Sequence, residues 1–432
     1  MFKIKPEFKT FLVKIINNLI FFMLILALIF TRSFFGIKII GFRLGELTVG
    51  FGLMLLIYFT VLEIIKKNII SQFQIRYLIL VLISFLVSLF INSGALFDTY
   101  TFKSSSFIWM IGYLFFGIKY FQNLKFSKFH IYVLISTPYI IYIFNTGNYP
   151  NFIMGFFETY SDKFQFIKGS DVLMAIIFCL YLLRDNIIKF NFLIYFNISL
   201  GILLPLFLIL SRASFFSAFI LLLSLNISYR NQIKENFKKY LILITISFVF
   251  FLISSIRVAG LPEIDFSKNP EPVNLVQQSV SEIIVRKNTN KFFLGFYFCE
   301  NRICSKDNTL DWRLDIWNDL VLDQINKNKM IFGFGFNEIF EIMKDPSAPG
   351  RLGRDGLNEN VHNHLFTILG RLGIVGLFLY ILFHIKILIP TKKETILYLI
   401  PLFLVSFFDT TMESVQFPLL YYLLISKSYT AN

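Results

Sequence analysis

Residues 361–388 read VHNHLFTILGRLGIVGLFLYILFHIKIL, and this stretch decides the class of fold. It begins with two histidines and passes into an apolar run long enough to cross a hydrocarbon core of about 30 Å. The polar beginning, Asn363-His364, predicts the start of a helix whose N-terminal dipole favours nearby anions. Three glycines would give that helix a small-residue face where another backbone can approach closely. They are Gly370, Gly373 and Gly376.

The overall composition excludes a soluble globular protein. Of the 432 residues, 56% are hydrophobic and 16% are charged, and the mean hydropathy is +0.67. A soluble chain of this length has too little interior to bury so many apolar side chains. The net charge of +14 would indicate a nucleic-acid partner in a soluble protein. Because membrane proteins concentrate Lys and Arg in cytoplasmic loops, we predict no nucleic-acid partner here.

Apolar runs of roughly 17–25 residues, the length that crosses a bilayer, recur along the chain. Twelve candidates lie near 12–31, 44–64, 76–95, 104–121, 129–146, 170–184, 191–210, 213–229, 240–257, 363–387, 395–409 and 414–427. Lys and Arg follow every even-numbered run, which places both termini in the cytoplasm by the positive-inside rule. The sequence therefore predicts an all-α polytopic membrane protein with about twelve transmembrane helices.

The segment 258–362 follows the ninth run, on the side opposite the cytoplasm. A connection of this length is too long to be structureless, so we expect a large loop outside the cytoplasm that forms helices of its own. The predicted organisation is a set of N-terminal transmembrane helices (1–190), the start of a core region (191–257), the large loop (258–362) and C-terminal transmembrane helices (363–432).

The acids and cysteines of the large loop do not form a metal-binding pattern. Four aspartates fall on one face of an amphipathic helix predicted over 310–325, and such carboxylates without His or Cys are more typical of a solvated face than of a metal site. They are Asp311, Asp315, Asp319 and Asp323. Cys299 and Cys304 share this loop and would pair if the loop faces an oxidising compartment.

Two of the four histidines, His362 and His364, fall on the outer side of the predicted membrane. A histidine at a helix start often serves as a capping or packing residue. A neutral imidazole in that place can also act as a general base. No acid flanks His362 at an obvious spacing, so we predict no Ser-His-Asp arrangement.

Two arginines lie on the same predicted side. Arg212 follows Ser211 in the tight turn between the seventh and eighth runs, and Arg313 lies beside Trp317 on the apolar face of the predicted helix. An arginine on a buried face needs an anionic partner. The alternatives are a cation–π contact between Arg313 and Trp317 and a headgroup contact for Arg212.

Two further patterns are weak. The run Gly333-Phe334-Gly335 lacks the strand and helix of a dinucleotide site, so we predict no nucleotide binding. Four acids at the outer ends of spans are candidates for substrate binding, although solvated or structural roles are more typical of each. They are Glu46, Asp171, Asp409 and Glu413.

Taken in order, these residues resemble the O-antigen ligase and polymerase family of bacterial inner membranes. The resemblance covers about residues 195–390. It rests on Ser211-Arg212 after a span, on Arg313 and Trp317 followed by Gly333-x-Gly335, and on His362-Asn363 followed by Phe366, Gly373 and Gly376. Family members often carry an acid two residues before the first of the last two glycines, where this chain has Arg371.

The resemblance implies a glycosyltransferase that uses undecaprenyl-diphosphate-linked glycans on the periplasmic side, without metal or cofactor. It implies a fold similar to the C-type glycosyltransferases, a helical bundle under a helical periplasmic lid. We expect His362 to be the general base and Arg212 and Arg313 to bind the diphosphate. Candidate supporting residues are Ser211, Trp317, Asn363 and His364.

Four functions remain open, and one of them is the transfer of a glycan to protein hydroxyls, as in a third branch of the family. A ligase moves the finished glycan to lipid A core, in lipopolysaccharide biosynthesis. A polymerase joins one lipid-linked repeat unit to another. A polysaccharide flippase would suit twelve spans, but it predicts mid-span ionisable residues and repeat symmetry, and the sequence has neither. The order of motifs favours the ligase.

Overall fold

The computed structural model describes residues 6–66, 72–96, 98–147, 149–163, 168–259, 295–299, 302–345, 348, 351 and 359–429. In chain order the elements are α1 (Pro6–Phe35), β1 (Lys38–Ile39), β2 (Phe42–Arg43), α2 (Leu44–Lys66), α3 (Gln72–Ile91), α4 (Thr99–Ser104), α5 (Ser106–Trp109), α6 (Gly112–Phe116), a π-helical turn (Gly117–Phe121), α7 (Lys128–Thr146), α8 (Asn151–Tyr160), α9 (Gly169–Arg184), α10 (Lys189–Leu210), α11 (Arg212–Ser228), α12 (Arg230–Glu235), α13 (Phe237–Ala259), β3 (Phe296–Cys299), β4 (Arg302–Ser305), α14 (Asn308–Asn326), a 3-10 turn (Glu341–Lys344), α15 (His364–Leu388), α16 (Lys393–Ser406) and α17 (Gln416–Ser428).

The helices confirm an all-α membrane protein. In the part of the chain that the structure describes, seven helices are long and apolar enough to cross a membrane: α1, α2, α3, α7, α10, α13 and α15. Each of the twelve predicted runs falls on helix, but the run at 104–121 is divided among α4, α5, α6 and the π-helical turn. The number of spans stays a prediction.

The chain divides into two compact units, and residues 1–48 with 119–279 form the first. Its centre is α9, in which every residue is buried, as expected of a helix that is apolar on all sides. The Arg32 guanidinium donates to Asp171 at 2.7 Å and so ties α1 to the start of α9. Glu46 accepts the backbone N–H of Arg43 at 2.9 Å. Asp171 and Glu46 therefore have structural contacts, as their sequence context favoured.

Residues 49–118 and 280–432 form the second unit. Here the Ser88 hydroxyl donates to the Arg371 carbonyl (2.8 Å), and Gln74 donates to the Lys386 carbonyl (2.9 Å). Because the earlier residue of α3 meets the later residue of α15, the two helices are antiparallel.

Helix α15 is bent back on itself at Gly373. The backbone there has φ 70° and ψ −171°, a conformation that glycine adopts at little cost. His364 Nε2 lies 3.0 Å from the Tyr380 hydroxyl, although the two residues are 16 positions apart, or about 24 Å along a straight helix. The predicted span at 363–387 thus consists of two arms, a first arm of residues 364–372 and a second arm of residues 374–388.

The predicted lid is helical only in part. Residues 260–294 lie outside the described residues, and α14 confirms the amphipathic helix predicted over 310–325. The two-stranded hairpin of β3 and β4, which the sequence did not predict, precedes α14. A disulfide joins Cys299 and Cys304 across it, with Cα atoms 5.8 Å apart.

Candidate functional site

The site region is built on the contact between α14 and the segment that enters α15. The Asp307 side chain accepts the N–H groups of Thr309 and Leu310 and so caps α14. The apolar face of α14 packs into a buried cluster that includes Trp317, Leu320, Phe340 and Val361. The structure therefore places Trp317, predicted as a supporting residue, directly against the histidine segment.

Trp317 fixes the residue before His362. Its indole N–H donates to the Val361 carbonyl at 2.7 Å, and its ring stacks on Phe366 with centroids 5.1 Å apart. Val361 itself is fully buried. A buried carbonyl needs such a donor, so this hydrogen bond determines where the chain lies just before the catalytic candidate.

Asn363 fixes the residue after His362. Its side-chain oxygen accepts the N–H groups of Leu365 (2.9 Å) and Phe366 (3.3 Å) as the N-cap of α15, which confirms the predicted helix start. Its amide nitrogen donates to the Phe407 carbonyl at 3.1 Å. One asparagine thus joins the first arm to the end of α16.

His362 lies between these two anchors with a left-handed backbone, φ 54°. Such a conformation is uncommon for a residue other than glycine and carries a strain of about 1–3 kcal/mol. The ring is half-buried and meets Trp312 edge-on, with centroids 5.1 Å apart. The surroundings hold the imidazole in a defined place outside the helix, as a positioned acid–base group requires.

Arg313 is half-buried on α14, and its Nε is buried without a hydrogen-bond partner among the described residues. Burial lowers the pKa of Arg313, and the nearby carboxylates of Asp409 and Asp307 oppose that shift. The structure gives Arg313 these two acids as its charged neighbours and, within the described part of the chain, no cation–π contact with Trp317. A buried guanidinium N–H with an open position can accept an anionic ligand.

Arg212 and Ser211 lie in the first compact unit. Ser211 is the N-cap of α11, where its hydroxyl accepts the N–H of Ser214 at 3.4 Å, and Arg212 is the first residue of that helix. A Cβ on Gly169 would lie 2.9 Å from both Ser211 and Ser214, so α9 begins close against this turn. The tight turn is confirmed. The meeting of Arg212 with His362 and Arg313 stays a prediction.

The Gly333-x-Gly335 turn docks on the break in α15. Gly333 and Gly335 have φ values of 72° and 80°. The N–H groups of Phe334 and Gly335 donate to the carbonyls of Gly370 (2.8 Å) and Arg371 (3.1 Å). These amides are used within the protein, so the turn does not offer them to a phosphate. A Cβ on Gly373 would clash with the Ile331 carbonyl, so the close backbone approach predicted for these glycines is present.

The Arg371 side chain also forms hydrogen bonds with this turn. The buried guanidinium donates to the carbonyls of Gly335 (3.1 Å) and Glu338 (2.6 Å) and to the Tyr100 hydroxyl (3.1 Å). It also lies 4.2 Å from the centroid of the Phe340 ring. The arginine that departs from the family pattern therefore has a structural role in this chain.

An acid faces His364, the second histidine of this segment. His364 Nδ1 lies 3.0 Å from Glu413 and Nε2 lies 3.0 Å from the Tyr380 hydroxyl. Burial raises the pKa of Glu413, but the charge and hydrogen bond of His364 outweigh it and hold the pKa below 4.5. Glu413 is therefore ionised at neutral pH, and His364 belongs to a buried network. Sequence reasoning missed this pair because 49 residues separate its members.

The four aspartates of α14 are all paired with cations. Asp311 and Asp315 lie 3.2 Å and 3.3 Å from Arg302, and Asp315 and Asp319 lie 2.6 Å and 2.5 Å from Arg351. Asp323 pairs with Lys327 at 2.9 Å. No group of three metal-binding side chains occurs in the described ranges. This face is a row of ion pairs, where the sequence predicted a solvated face.

Comparison with known proteins gives one match. Residues 196–381 match the family model described as O-antigen ligase. The matched range contains most of α10, all of α11 and α14 and the bend of α15, and it includes each motif on which the sequence resemblance rests. No curated protein and no solved structure matches the chain. The match confirms the resemblance predicted from the sequence.

Proposed function

We propose that the protein, whose residues 196–381 match the family model described as O-antigen ligase, is a ligase of the bacterial inner membrane. It transfers a glycan from undecaprenyl diphosphate to lipid A core on the periplasmic side, without a metal ion. The proposed protein has twelve spans and cytoplasmic termini. Its helical bundle is similar to the C-type glycosyltransferases and carries a periplasmic lid.

His362 is the general base of this reaction. As the acceptor hydroxyl attacks the anomeric carbon, the bond from that carbon to the diphosphate oxygen breaks. The hydroxyl proton passes to the neutral imidazole. The observation that carries the proposal is the fixed left-handed backbone of His362 between the anchored Val361 and Asn363.

Arg313 and Arg212 stabilise the leaving diphosphate. Guanidinium groups stay charged at any relevant pH and match phosphate oxygens with paired hydrogen bonds. They can offset the charge that develops on the departing oxygens, as a metal ion does elsewhere. The buried Nε of Arg313, which lacks a hydrogen-bond partner among the described residues, supports this role. The metal-independent reaction should proceed at full rate in excess chelator.

The test uses His362→Asn, because asparagine tolerates a left-handed backbone and has no basic nitrogen. Purified protein, lipid-linked donor and lipid A core are reconstituted, and released undecaprenyl diphosphate is measured. We expect a loss of about 10²–10⁴-fold in rate with an unchanged thermal stability. His130→Asn is the control, because His130 caps α7 in the first unit. Near-full activity of His362→Asn would refute the base assignment.

A polymerase would carry the same motifs, and a gene deletion distinguishes a polymerase from a ligase. Loss of a ligase leaves bare lipid A core while lipid-linked polymer accumulates. Loss of a polymerase leaves core capped with a single repeat unit. Release of undecaprenyl diphosphate by the purified protein also separates either enzyme from a flippase, which moves its lipid without cleaving it.

A further inference from the structure

The short helix α8 (Asn151–Tyr160) of the first unit has no role in the site described above. Its ten residues measure about 15 Å, half of a hydrocarbon core of about 30 Å, so α8 cannot cross a bilayer. Residues 147–150 join it to the end of α7, which is long and apolar enough to cross. Helix α8 therefore lies on the side of the membrane where α7 ends.

Three contacts hold α8 against one short stretch of α1. The Tyr149 ring, just before α8, lies 6.5 Å from the Phe30 ring between centroids, and the Phe157 ring lies 4.8 Å from that same ring. Directly after α8, the Ser161 hydroxyl donates to the Ser33 carbonyl at 2.7 Å. No more than about 11 Å of chain separates Phe30 from Ser33. Both ends and the middle of α8 thus meet the same level of α1.

That level lies within the apolar span of α1, which covers Ile15–Phe35. Phe30 is fifteen positions after Ile15, or about 22 Å along the helix, and α1 kinks at the next residue, Thr31. In a core of about 30 Å, Phe30 therefore occupies the outer part of the hydrocarbon. The contacts with Phe30 bring α8 to the boundary between hydrocarbon and headgroups.

The end of α8 is also tied to the connection between α1 and α2. Ser161 forms a backbone bridge with Ile37, and the Asp162 carboxylate accepts a hydrogen bond from the Arg43 guanidinium at 2.6 Å. Both α1 and α2 are long and apolar enough to cross a membrane, so the hairpin of β1 and β2 between them marks the level at which the two spans end. This second anchor places α8 at the same boundary.

The side chains of α8 form three faces. Phe157 is buried and packs on α1. About 100° around the helix lies an aromatic stripe, in which Phe152 is 77% exposed, Phe156 46% and Tyr160 52%. Glu158 lies about 160° from Phe156 and is also exposed. A short helix with one exposed apolar face and one exposed polar face is typical of an element that lies in a membrane interface.

We propose that α8 lies in the plane of the extracytoplasmic membrane surface and docks on bilayer lipids. Phe152 and Phe156 lie among the upper acyl chains, Tyr160 lies at the level of the headgroups, and Glu158 faces water. Helices of this kind bury their apolar face about 5–10 Å into the boundary between headgroups and acyl chains, and tyrosine is enriched at that level. This docking is independent of the proposed transferase reaction.

The experiment measures the depth of a nitroxide attached to single cysteines in the full chain, reconstituted in vesicles of phosphatidylethanolamine and phosphatidylglycerol. The native cysteines remain, because Cys179 is buried and Cys299 is joined to Cys304. Phe152→Cys is the test position, and Glu158→Cys is the matched control, since both side chains are exposed but lie on different faces of α8. Electron paramagnetic resonance compares collisions of the label with oxygen, which concentrates in hydrocarbon, and with a water-soluble nickel chelate.

We expect the label at position 152 to lie about 5–10 Å inside the headgroup boundary and the label at position 158 to lie at or outside it. Phe156→Cys repeats the measurement on the same stripe and replaces Phe152→Cys if that variant does not fold. Labels at 152 and 156 that the nickel chelate reaches as readily as at 158 would overturn the proposal, because the stripe would then face water. Labels that neither reagent reaches would also overturn it, because protein, such as a second copy of this chain, would then cover the stripe.

Discussion

The two arms of α15 are continuous in sequence but are held by different forces. The first arm is fixed by individual polar contacts: Asn363 caps it, Gln324 donates to the Leu369 carbonyl (2.8 Å), and Phe334 donates to the Gly370 carbonyl (2.8 Å). The second arm is an apolar helix that packs along α3. The difference shows that hydropathy specifies the second arm, whereas the first arm, which carries the catalytic candidate, depends on a few named hydrogen bonds.

The largest expected effect comes from Gly373→Ala, which replaces the glycine at the bend between the two arms. An alanine there combines a left-handed backbone with a Cβ that clashes with the Ile331 carbonyl. We expect a loss of roughly 3 kcal/mol or more in stability and loss of transfer. Gly155→Ala in α8 is the matched control, because a Cβ there meets nothing within 4 Å. Thermal unfolding in detergent measures the stability of both variants. Equal stability of the two would show that the backbone at position 373 does not require glycine.

Glu413→Gln should have the next largest effect, since it removes the charge that faces His364. A hydrogen bond to a charged group contributes about 2 kcal/mol, and that contribution should be lost at pH 7. Because the pKa of Glu413 is lowered in the folded protein, its contribution is present above the unfolded value. It disappears as the pH falls through the folded value.

The unmodified chain should therefore lose stability on acidification below about pH 4.5, and Glu413→Gln should lose less. Thermal unfolding from pH 7 to pH 3 measures the difference between the two proteins. Parallel curves would show that Glu413 does not stabilise the first arm through its charge.

Trp317→Phe should cost about 1–2 kcal/mol, because it leaves the buried Val361 carbonyl without its donor. We expect the rate of transfer to fall more than the affinity for the donor lipid, since His362 would lose one of its two anchors. Phe366→Leu is the control, because it removes the stacking partner of Trp317 and keeps the hydrogen bond. The hydrogen bond is unimportant if the two variants have equal rates.

The smallest effect is expected from Asn363→Ser. Serine is a good N-cap, so the cost in helix stability should be a few tenths of a kcal/mol. The bond from Asn363 to the Phe407 carbonyl is lost, and the rate should fall by a small factor. Asn363→Ala, which removes the cap as well, should cost about 1 kcal/mol, and a reversed order of the two variants would contradict the capping role.

The sequence predicted what depends on local pattern. Runs of apolar residues gave the helices, and Asn363 at the polar edge of such a run gave the start of α15 correctly. The small-residue face was also correct, since Gly370 and Gly373 do meet other elements closely. Each of these signals needs only neighbours within a few turns of the chain.

Contacts between distant segments were not predictable in the same way. A glycine in an apolar run is compatible with a straight helix, so nothing local to Gly373 indicates the bend. The turn at Gly333 that docks there lies forty residues earlier. The Glu413–His364 pair and the role of Arg371 likewise depend on partners that only the folded chain brings together.

The proposed function requires Arg212, Arg313 and His362 to act on one substrate outside the cytoplasm, and a cross-link between positions 212 and 362 tests this proposal. Cysteines replace Arg212 and His362 in a chain whose three native cysteines are removed, and a short bifunctional thiol reagent is added to intact membranes. We expect an intramolecular cross-link, and bound donor lipid should prevent it. A chain in which position 362 reacts only from the periplasm and position 212 only from the cytoplasm, with no cross-link, would contradict it.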